Sequence, residues 1–109
     1  VQSFEPENGD QCRARHLAAA LSLPASTRAS IIGMLRQELA SVRDEIVGVA
    51  KEDGAWFAGY HLGWGMAVRN LLRQQGFTEQ AVGIDNWDDF YVGLVELAFG
   101  ITSEEPVHV

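Results

Sequence analysis

The segment AGYHLGWGMAVRNLL, residues 58–72, has the apolar spacing of a buried helix but also carries residues that weaken helices. A helix over 55–75 places five large residues on one face, namely Phe57, His61, Trp64, Val68 and Leu72. Its other sides stay mostly apolar as far as Arg73. Because a helix that is apolar almost all round is surrounded by its neighbours, the segment predicts a central helix rich in glycine and tryptophan.

The glycines of this segment, Gly59, Gly63 and Gly65, need a steric explanation. Each interior glycine costs a helix about 1 kcal/mol relative to alanine, so packing must return roughly 3 kcal/mol. Glycine lets a neighbouring helix or a large ring approach the backbone. We therefore expect notches beside these glycines, filled by the indole of Trp56, Trp64 or Trp87.

The composition favours one acidic domain. The chain has 109 residues, of which 47% are hydrophobic, and this is enough for one packed core over 1–109 with irregular tails at 1–9 and 102–109. The net charge is −7, which repels nucleic acid and anionic membranes. Two interpretations stay open, a basic protein partner or simple solubility.

Cysteine usage and hydropathy predict a cytoplasmic protein. Cys12 is the single cysteine, so the chain has no intrachain disulfide and no thiolate metal cluster, as in a reducing compartment. The acidic start, VQSFEPENGD, lacks the apolar core of a signal peptide. The uncharged run before Arg69 is too short to span a bilayer.

The rest of the chain also predicts helices, because no segment alternates with the period of a strand. A first helix over 11–22 should end at Leu23-Pro24-Ala25, and a second begins at Ser26 or Thr27 and ends at Asp53-Gly54. The resulting fold class is all-α, a compact bundle of four or five helices around the central glycine- and tryptophan-rich helix.

Stop and cap signals divide the second half of the chain. Gly76 is placed to end the central helix, and Thr78 to cap a short turn. Asn86 is placed to cap a last helix that ends at Gly100, with Asp88 and Asp89 in its first turn, where the helix dipole favours negative charge.

The second helix carries an apolar stripe with heptad spacing, made of Ile32, Leu35, Leu39, Val42, Ile46 and Val49. Arg36 and Arg43 fall on one flank of the stripe and Glu38 and Glu45 on the other, as in parallel paired helices. The stripe therefore predicts a homodimer, and the alternative is that it packs inside its own domain. The unbroken register favours one continuous helix, although Ser41–Asp44 matches a capping box that would break it near Ala40.

A polar ridge crosses the predicted central helix. His61, Gly65 and Arg69 are four residues apart, and Asn70 follows. A buried guanidinium without a partner is very costly, so Arg69 should pair with one of the aspartates at 85, 88 and 89. We expect an internal polar cluster in which Asn70 bonds a loop backbone.

These residues carry a resemblance. The string H-x-x-x-G-x-x-x-R-N, at His61, Gly65, Arg69 and Asn70, resembles the signature of short bacterial helical proteins of unknown function. In that group an Asp-Asp pair opens a final helix, and NWDDFYVGLVELAFG, residues 86–100, is similar to it. The resemblance covers residues 50–101 and implies a compact helical domain whose motif residues also include Asp88 and Asp89. It implies no activity.

The sequence lacks the patterns of a metal or nucleophile site. His16, His61 and His108 lie far apart without a second ligand at helical spacing, so no metal and no cofactor is expected. We assign no catalytic residue. The chain is expected to act through protein–protein contact or self-association, resembling inhibitor or immunity proteins in size and charge. The alternative is a small-ligand or enzymatic site on His61, Arg69 and the pair Asp88 and Asp89, in which histidine transfers protons and arginine binds an anion.

Overall fold

The computed structural model describes residues 9–53, 56–60 and 63–103, and for residues 9 and 10 the backbone alone. This part of the chain contains no strand, which confirms the all-α prediction. It contains six α-helices, which is more than expected because the predicted long helices are interrupted. They are α1 (Gly9–Leu21), α2 (Ala25–Glu38), α3 (Arg43–Glu52), α4 (Trp64–Gln74), α5 (Glu79–Val82) and α6 (Tyr91–Ala98). Two 3₁₀-helices, Ala40–Val42 and Trp56–Gly59, connect them.

The central helix is α6, so the prediction that the segment over 55–75 forms the centre is wrong. All eight residues of α6 are buried, and both α1 and α2 pack against it. The segment over 55–75 instead forms the 3₁₀-helix Trp56–Gly59 and then α4, whose Met66 is 47% exposed. Gly63 adopts a non-helical conformation with ψ −88° just before α4, so one helix does not run through the whole segment.

Helices α1 and α6 touch backbone to backbone. A Cβ atom at Gly93 would collide with the carbonyl oxygen of His16 and would lie 3.1 Å from the Cβ of Ala20. Cys12, His16 and Ala20, spaced four residues apart, form the buried face of α1. Glycine at 93 is therefore what lets α1 lie directly on the central helix.

The heptad stripe is divided between two helices, so the prediction of one continuous helix is wrong. The alternative, a break near Ala40, is present, although Val42 precedes α3 and no side chain caps it. Leu39 ends α2 with φ −108°, and the 3₁₀-helix Ala40–Val42 leads into α3. Ile32, Leu35 and Ile46 are buried within the chain, while Leu39, Val42 and Val49 are half-buried. The stripe therefore does not form one straight seam.

Most of the predicted stops and caps are confirmed. Gly76 and Gly100 follow helices with φ of 93° and 77°, a left-handed conformation that glycine adopts without strain. The Thr78 hydroxyl accepts a hydrogen bond from the Ala81 N–H at 3.2 Å.

The start of the last helix differs from the prediction. The Asn86 side chain accepts a hydrogen bond from the Asp89 N–H at 3.3 Å, but this closes a turn and α6 begins only at Tyr91. Asp88 and Asp89 therefore precede the helix. The turn is anchored by Trp87, which is fully buried and donates its indole N–H to the Phe77 carbonyl at 2.9 Å.

Two arginines that flank the heptad stripe bond to the end of α6. Arg36 Nε donates to the Ala98 carbonyl and Arg43 Nη2 to the Phe99 carbonyl, each at 3.0 Å. The last carbonyls of a helix have no partner within the helix, and cations there also complement its dipole. The two arginine side chains thus stabilise the C-terminal end of α6.

No single helix among residues 9–53, 56–60 and 63–103 is long and apolar enough to cross a membrane. The two helical segments Gln11–Leu21 and Ala25–Glu38, with a bend of 117° between them, together have the length and composition of a broken membrane span. The core helices of other proteins meet the same criteria of length and composition.

We predict opposite effects for alanine at two helical glycines. Gly93→Ala should lower the free energy of unfolding by about 1–3 kcal/mol or more, because its methyl group forces α1 away from α6. Gly48→Ala is the control, since a Cβ there meets open space, and it should stabilise by up to about 1 kcal/mol through helix propensity. Urea unfolding of both variants measures this. A neutral Gly93→Ala would contradict the backbone contact.

Candidate functional site

The predicted ion pair of Arg69 is present. Arg69 Nε, on α4, lies 3.2 Å from Asp88 Oδ1, in the turn before α6. The Arg69 side chain is only 8% exposed, whereas that of Asp88 is 55% exposed. A largely buried cation is thus held against a carboxylate that still contacts water, which limits the desolvation cost of the pair.

Tyr91 closes this cluster from the side of α6. Its ring centroid lies 5.2 Å from the Arg69 guanidinium carbon, within the range of a cation–π contact. The Tyr91 hydroxyl occupies the space beside Gly65, where a Cβ would collide with it and would lie 3.2 Å from the Tyr60 carbonyl oxygen. The Gly65 N–H donates to that same carbonyl at 2.7 Å.

The steric explanation of the glycines is therefore correct at Gly65 and wrong at Gly59 and Gly63. A Cβ at either of the latter meets nothing within 4 Å. The group that fills the notch is a phenol rather than the predicted indole. Trp87, the most buried of the tryptophans, serves the turn before α6 instead.

The burial of Tyr91 affects its ionisation. Burial raises the pKa of Tyr91 above its ordinary value of 10.0, and the nearby Arg69 offsets part of the rise. Because the phenol loses its proton more readily in the unfolded chain, this group supports the fold fully below the ordinary value. Its support is lost as pH rises through the raised pKa of the folded state.

The other motif residues do not all join Arg69. Asn70 is exposed, and its side-chain oxygen accepts from Arg73 Nη1 at 2.9 Å, which differs from the predicted bond to a loop backbone. Asp89 is exposed and faces a separate cleft. His61 lies outside the described residues. The structure thus brings together Gly65, Arg69 and Asp88, with Tyr91 added.

An exposed ion pair lies beside the cluster. Arg73 Nη2 is 2.8 Å from Glu79 Oε2, and the two side chains are 39% and 26% exposed. The hydrogen bond to Glu79 raises the pKa of Arg73, and the same bond lowers the pKa of Glu79. The pair joins α4 to α5. Solvent screening keeps its contribution to stability small.

A second polar cluster lies in the core and was missed by the sequence analysis. His16 Nδ1 and Glu96 Oε1 are 2.9 Å apart, and their side chains are 3% and 0% exposed. Trp56 Nε1 donates to the other Glu96 oxygen at 3.4 Å, and the Phe57 ring meets the His16 ring edge to face at 4.7 Å. His16 Nε2 is buried without a hydrogen-bond partner among the described residues.

The available signal for this cluster was Glu96, the one charged residue of the helix YVGLVELA. A carboxylate inside an otherwise apolar buried helix requires partners. Such partners come from elements distant in sequence, here α1 and the 3₁₀-helix Trp56–Gly59. The three clefts described below are lined by other residues, so this enclosed cluster fits a structural role.

Three open clefts lie elsewhere on the surface. The first, of about 570 Å³, lies between the α1–α2 turn and residues 82–90 and is lined by Leu23, Ile84, Asp85, Asn86, Asp89 and Phe90, among others. The second and third, of about 520 and 380 Å³, are both lined by Arg36. None of these three clefts is lined by Arg69. We call the first the acidic cleft.

Within residues 9–53, 56–60 and 63–103, no group of three or more histidine, cysteine, aspartate or glutamate side chains is placed to hold a metal ion. Comparison with protein-family models, curated proteins and solved structures finds no match. The candidate function therefore rests on the geometry of the chain itself. The resemblance to the bacterial motif proteins stays an expectation.

We predict that the two neighbouring aspartates differ in their effect on stability. Asp88→Ala should lower the free energy of unfolding by about 1–3 kcal/mol, because it leaves a buried guanidinium without its carboxylate. Asp89→Ala, the control, should change it by no more than about 0.5 kcal/mol. Arg69→Met should cost less than Asp88→Ala, since the remaining carboxylate is half-exposed and stays hydrated. Chemical denaturation checks all three, and a silent Asp88→Ala beside an unfolded Arg69→Met would contradict the assignment.

Proposed function

We propose that the protein is a non-enzymatic interaction module that binds a basic segment of a protein partner in the acidic cleft. The observation that carries this proposal is the composition of the cleft. Its apolar surface comes from Leu23, Ile84 and Phe90, and its charged lining consists of Asp85 and Asp89.

The arrangement of the Arg69 cluster favours binding over catalysis. The guanidinium is buried against Tyr91 and Asp88, and no cleft described here is lined by it. An arginine that anchors a substrate must present its donors to a cleft. A role for His61, Arg69, Asp88 and Asp89 in a ligand or enzymatic site is therefore the weaker alternative.

The chemistry of the cleft selects its partner. Two exposed carboxylates attract lysine or arginine, and the net charge of −7 speeds the approach of a basic protein. The apolar surface of the cleft adds contact area for a protein segment, and a small cation would not use this area. Arg28, in the first turns of α2, does not line the cleft and donates to the Leu23 carbonyl in the α1–α2 turn at 2.7 Å. A cytoplasmic location, proposed from the single cysteine, is compatible with such a partner.

The test uses a short peptide of alternating lysine and leucine, titrated at low salt and followed by calorimetry. The double variant Asp85→Asn with Asp89→Asn should weaken binding by about tenfold, as expected when two charged contacts are lost. The control, Glu45→Gln with Glu52→Gln, changes the net charge equally on the exposed face of α3. It should have a much smaller effect. Equal weakening by the two double variants would contradict the proposal, because it would show that only net charge matters.

A homodimer is a second proposal, favoured by the half-buried part of the heptad stripe. Leu39, Val42 and Val49 keep part of their apolar surface exposed around the break between α2 and α3. Two copies that pair through this surface would cover it. Ile32, Leu35 and Ile46 already serve the core of each copy.

Sedimentation equilibrium at micromolar concentration should therefore show a dimer. Val42→Glu with Val49→Glu should give a folded monomer, because both side chains are half-exposed in the single chain. Ile46→Glu is the contrasting variant and should unfold the protein, since Ile46 is 2% exposed. A wild-type monomer across this range would contradict the dimer, and circular dichroism distinguishes a monomer from an unfolded chain.

A further inference from the structure

Arg36 is oriented by one bond and retains free donors. Its Nε donates to the Ala98 carbonyl at 3.0 Å, while no residue in the described part of the chain bonds its two terminal nitrogens. The planar guanidinium is therefore fixed, with its outer edge open. That edge presents parallel N–H groups that match the two oxygens of a carboxylate.

Arg36 lines two clefts. Arg36 lines both the cleft of about 520 Å³, with Ile32, Leu97 and Thr102, and the cleft of about 380 Å³, with Arg43. Gly100 also lines both clefts, and a Cβ on it would meet nothing within 4 Å. These volumes lie in the range of small-molecule sites.

One residue that lines the larger cleft, Thr102, carries a buried polar atom. Thr102 Oγ1 is buried and has no hydrogen-bond partner among the described residues. The backbone N–H of Thr102 donates to the Glu96 carbonyl at 3.2 Å, which fixes the position of the residue. This hydroxyl is buried beneath the lining of the cleft and is not open to a ligand, so Arg36 is the charged group of the larger cleft that a ligand contacts.

The charges around the two clefts favour an anion. Their described lining includes two arginines and no acidic residue. Arg43 also bonds Asp44 at 3.1 Å, but that aspartate is 97% exposed and projects into water. A cation would meet the guanidinium groups directly and be repelled.

We propose that the cleft at Arg36 binds a small monocarboxylic acid, with the carboxylate on the Arg36 terminal nitrogens and an aliphatic chain against Ile32 and Leu97. A single charge is favoured over a phosphate dianion, because the net charge of −7 repels the more highly charged ion more strongly. The apolar wall also contacts an aliphatic chain, which inorganic phosphate lacks. This site is separate from the acidic cleft and does not depend on it.

The experiment is a titration of ¹⁵N-labelled protein with hexanoate, followed by the amide resonances of Gly100 and Thr102. Wild type should show saturable binding, with shifts concentrated at these residues. Hexanol, which keeps the chain and lacks the charge, and inorganic phosphate, which has charge and lacks the chain, should both bind at least about tenfold more weakly.

Two variants and one control locate the site. Arg36→Gln removes the guanidinium group. Ala29→Glu places a competing carboxylate at the exposed rim of the larger cleft and keeps the arginine that bonds α6. Both should weaken hexanoate binding by about tenfold or more, and Arg73→Gln, an exposed arginine elsewhere, should leave it unchanged. The urea midpoint of Ala29→Glu should match wild type, so a loss of binding in that variant is not unfolding.

The outcomes against the proposal are distinct. Absent or non-saturable hexanoate binding by the wild type would overturn the site, and so would binding by the Ala29→Glu and Arg36→Gln variants that is as tight as that of the wild type. Binding of hexanol as tight as that of hexanoate would show an apolar cleft only, and tighter binding of phosphate would overturn the choice of ligand. The lysine–leucine peptide should bind Ala29→Glu as it binds wild type, which separates this result from the test of the acidic cleft.

Discussion

The contact of α1 with α6 is the constraint on which the rest of the structure depends. Gly93 removes the side chain that would separate the two backbones, and the bond between His16 and Glu96 lies beside that crossing. Once α1 covers one side of α6, α2 covers another and the helix has no face left for water. A carboxylate at Glu96 is compatible with this burial only because the histidine and the Trp56 indole bond both of its oxygens.

Because α6 is enclosed along its length, polar contacts from other helices are made mainly at its two ends. At the start of α6, Tyr91 lies between Gly65 and Arg69, and Asp88 meets the guanidinium from the preceding turn. At its end, Arg36 and Arg43 bond the last carbonyls. Both ends are therefore held by arginines from other helices. The difference between them is access to solvent, because Arg69 is buried and Arg36 borders two clefts.

Local chemistry was predictable from the sequence, whereas the choice of central helix was not. Gly76, Thr78 and Gly100 act within a few residues of themselves, so their roles follow from backbone preference alone. The pairing of Arg69 with an aspartate followed from the cost of an unpaired buried charge. The apolar pattern over 55–75 did not reveal that the segment is interrupted before α4. The heptad spacing likewise persisted across a 3₁₀ break, since three residues of 3₁₀-helix change the helix direction and leave the spacing in sequence intact.

Four arginines make contacts within the fold, and acidic residues outnumber basic ones in the chain. Arg28, Arg36 and Arg43 each donate to a backbone carbonyl near the end of a helix, and Arg69 is buried in an ion pair. Only Arg69 among these four is buried, and the chain has 15 acidic residues against 8 basic ones. A partner approaching from solvent therefore meets mainly carboxylates, which favours a basic one. Arg36 departs from this pattern, because its fixed position leaves the outer edge of its guanidinium open to an anion.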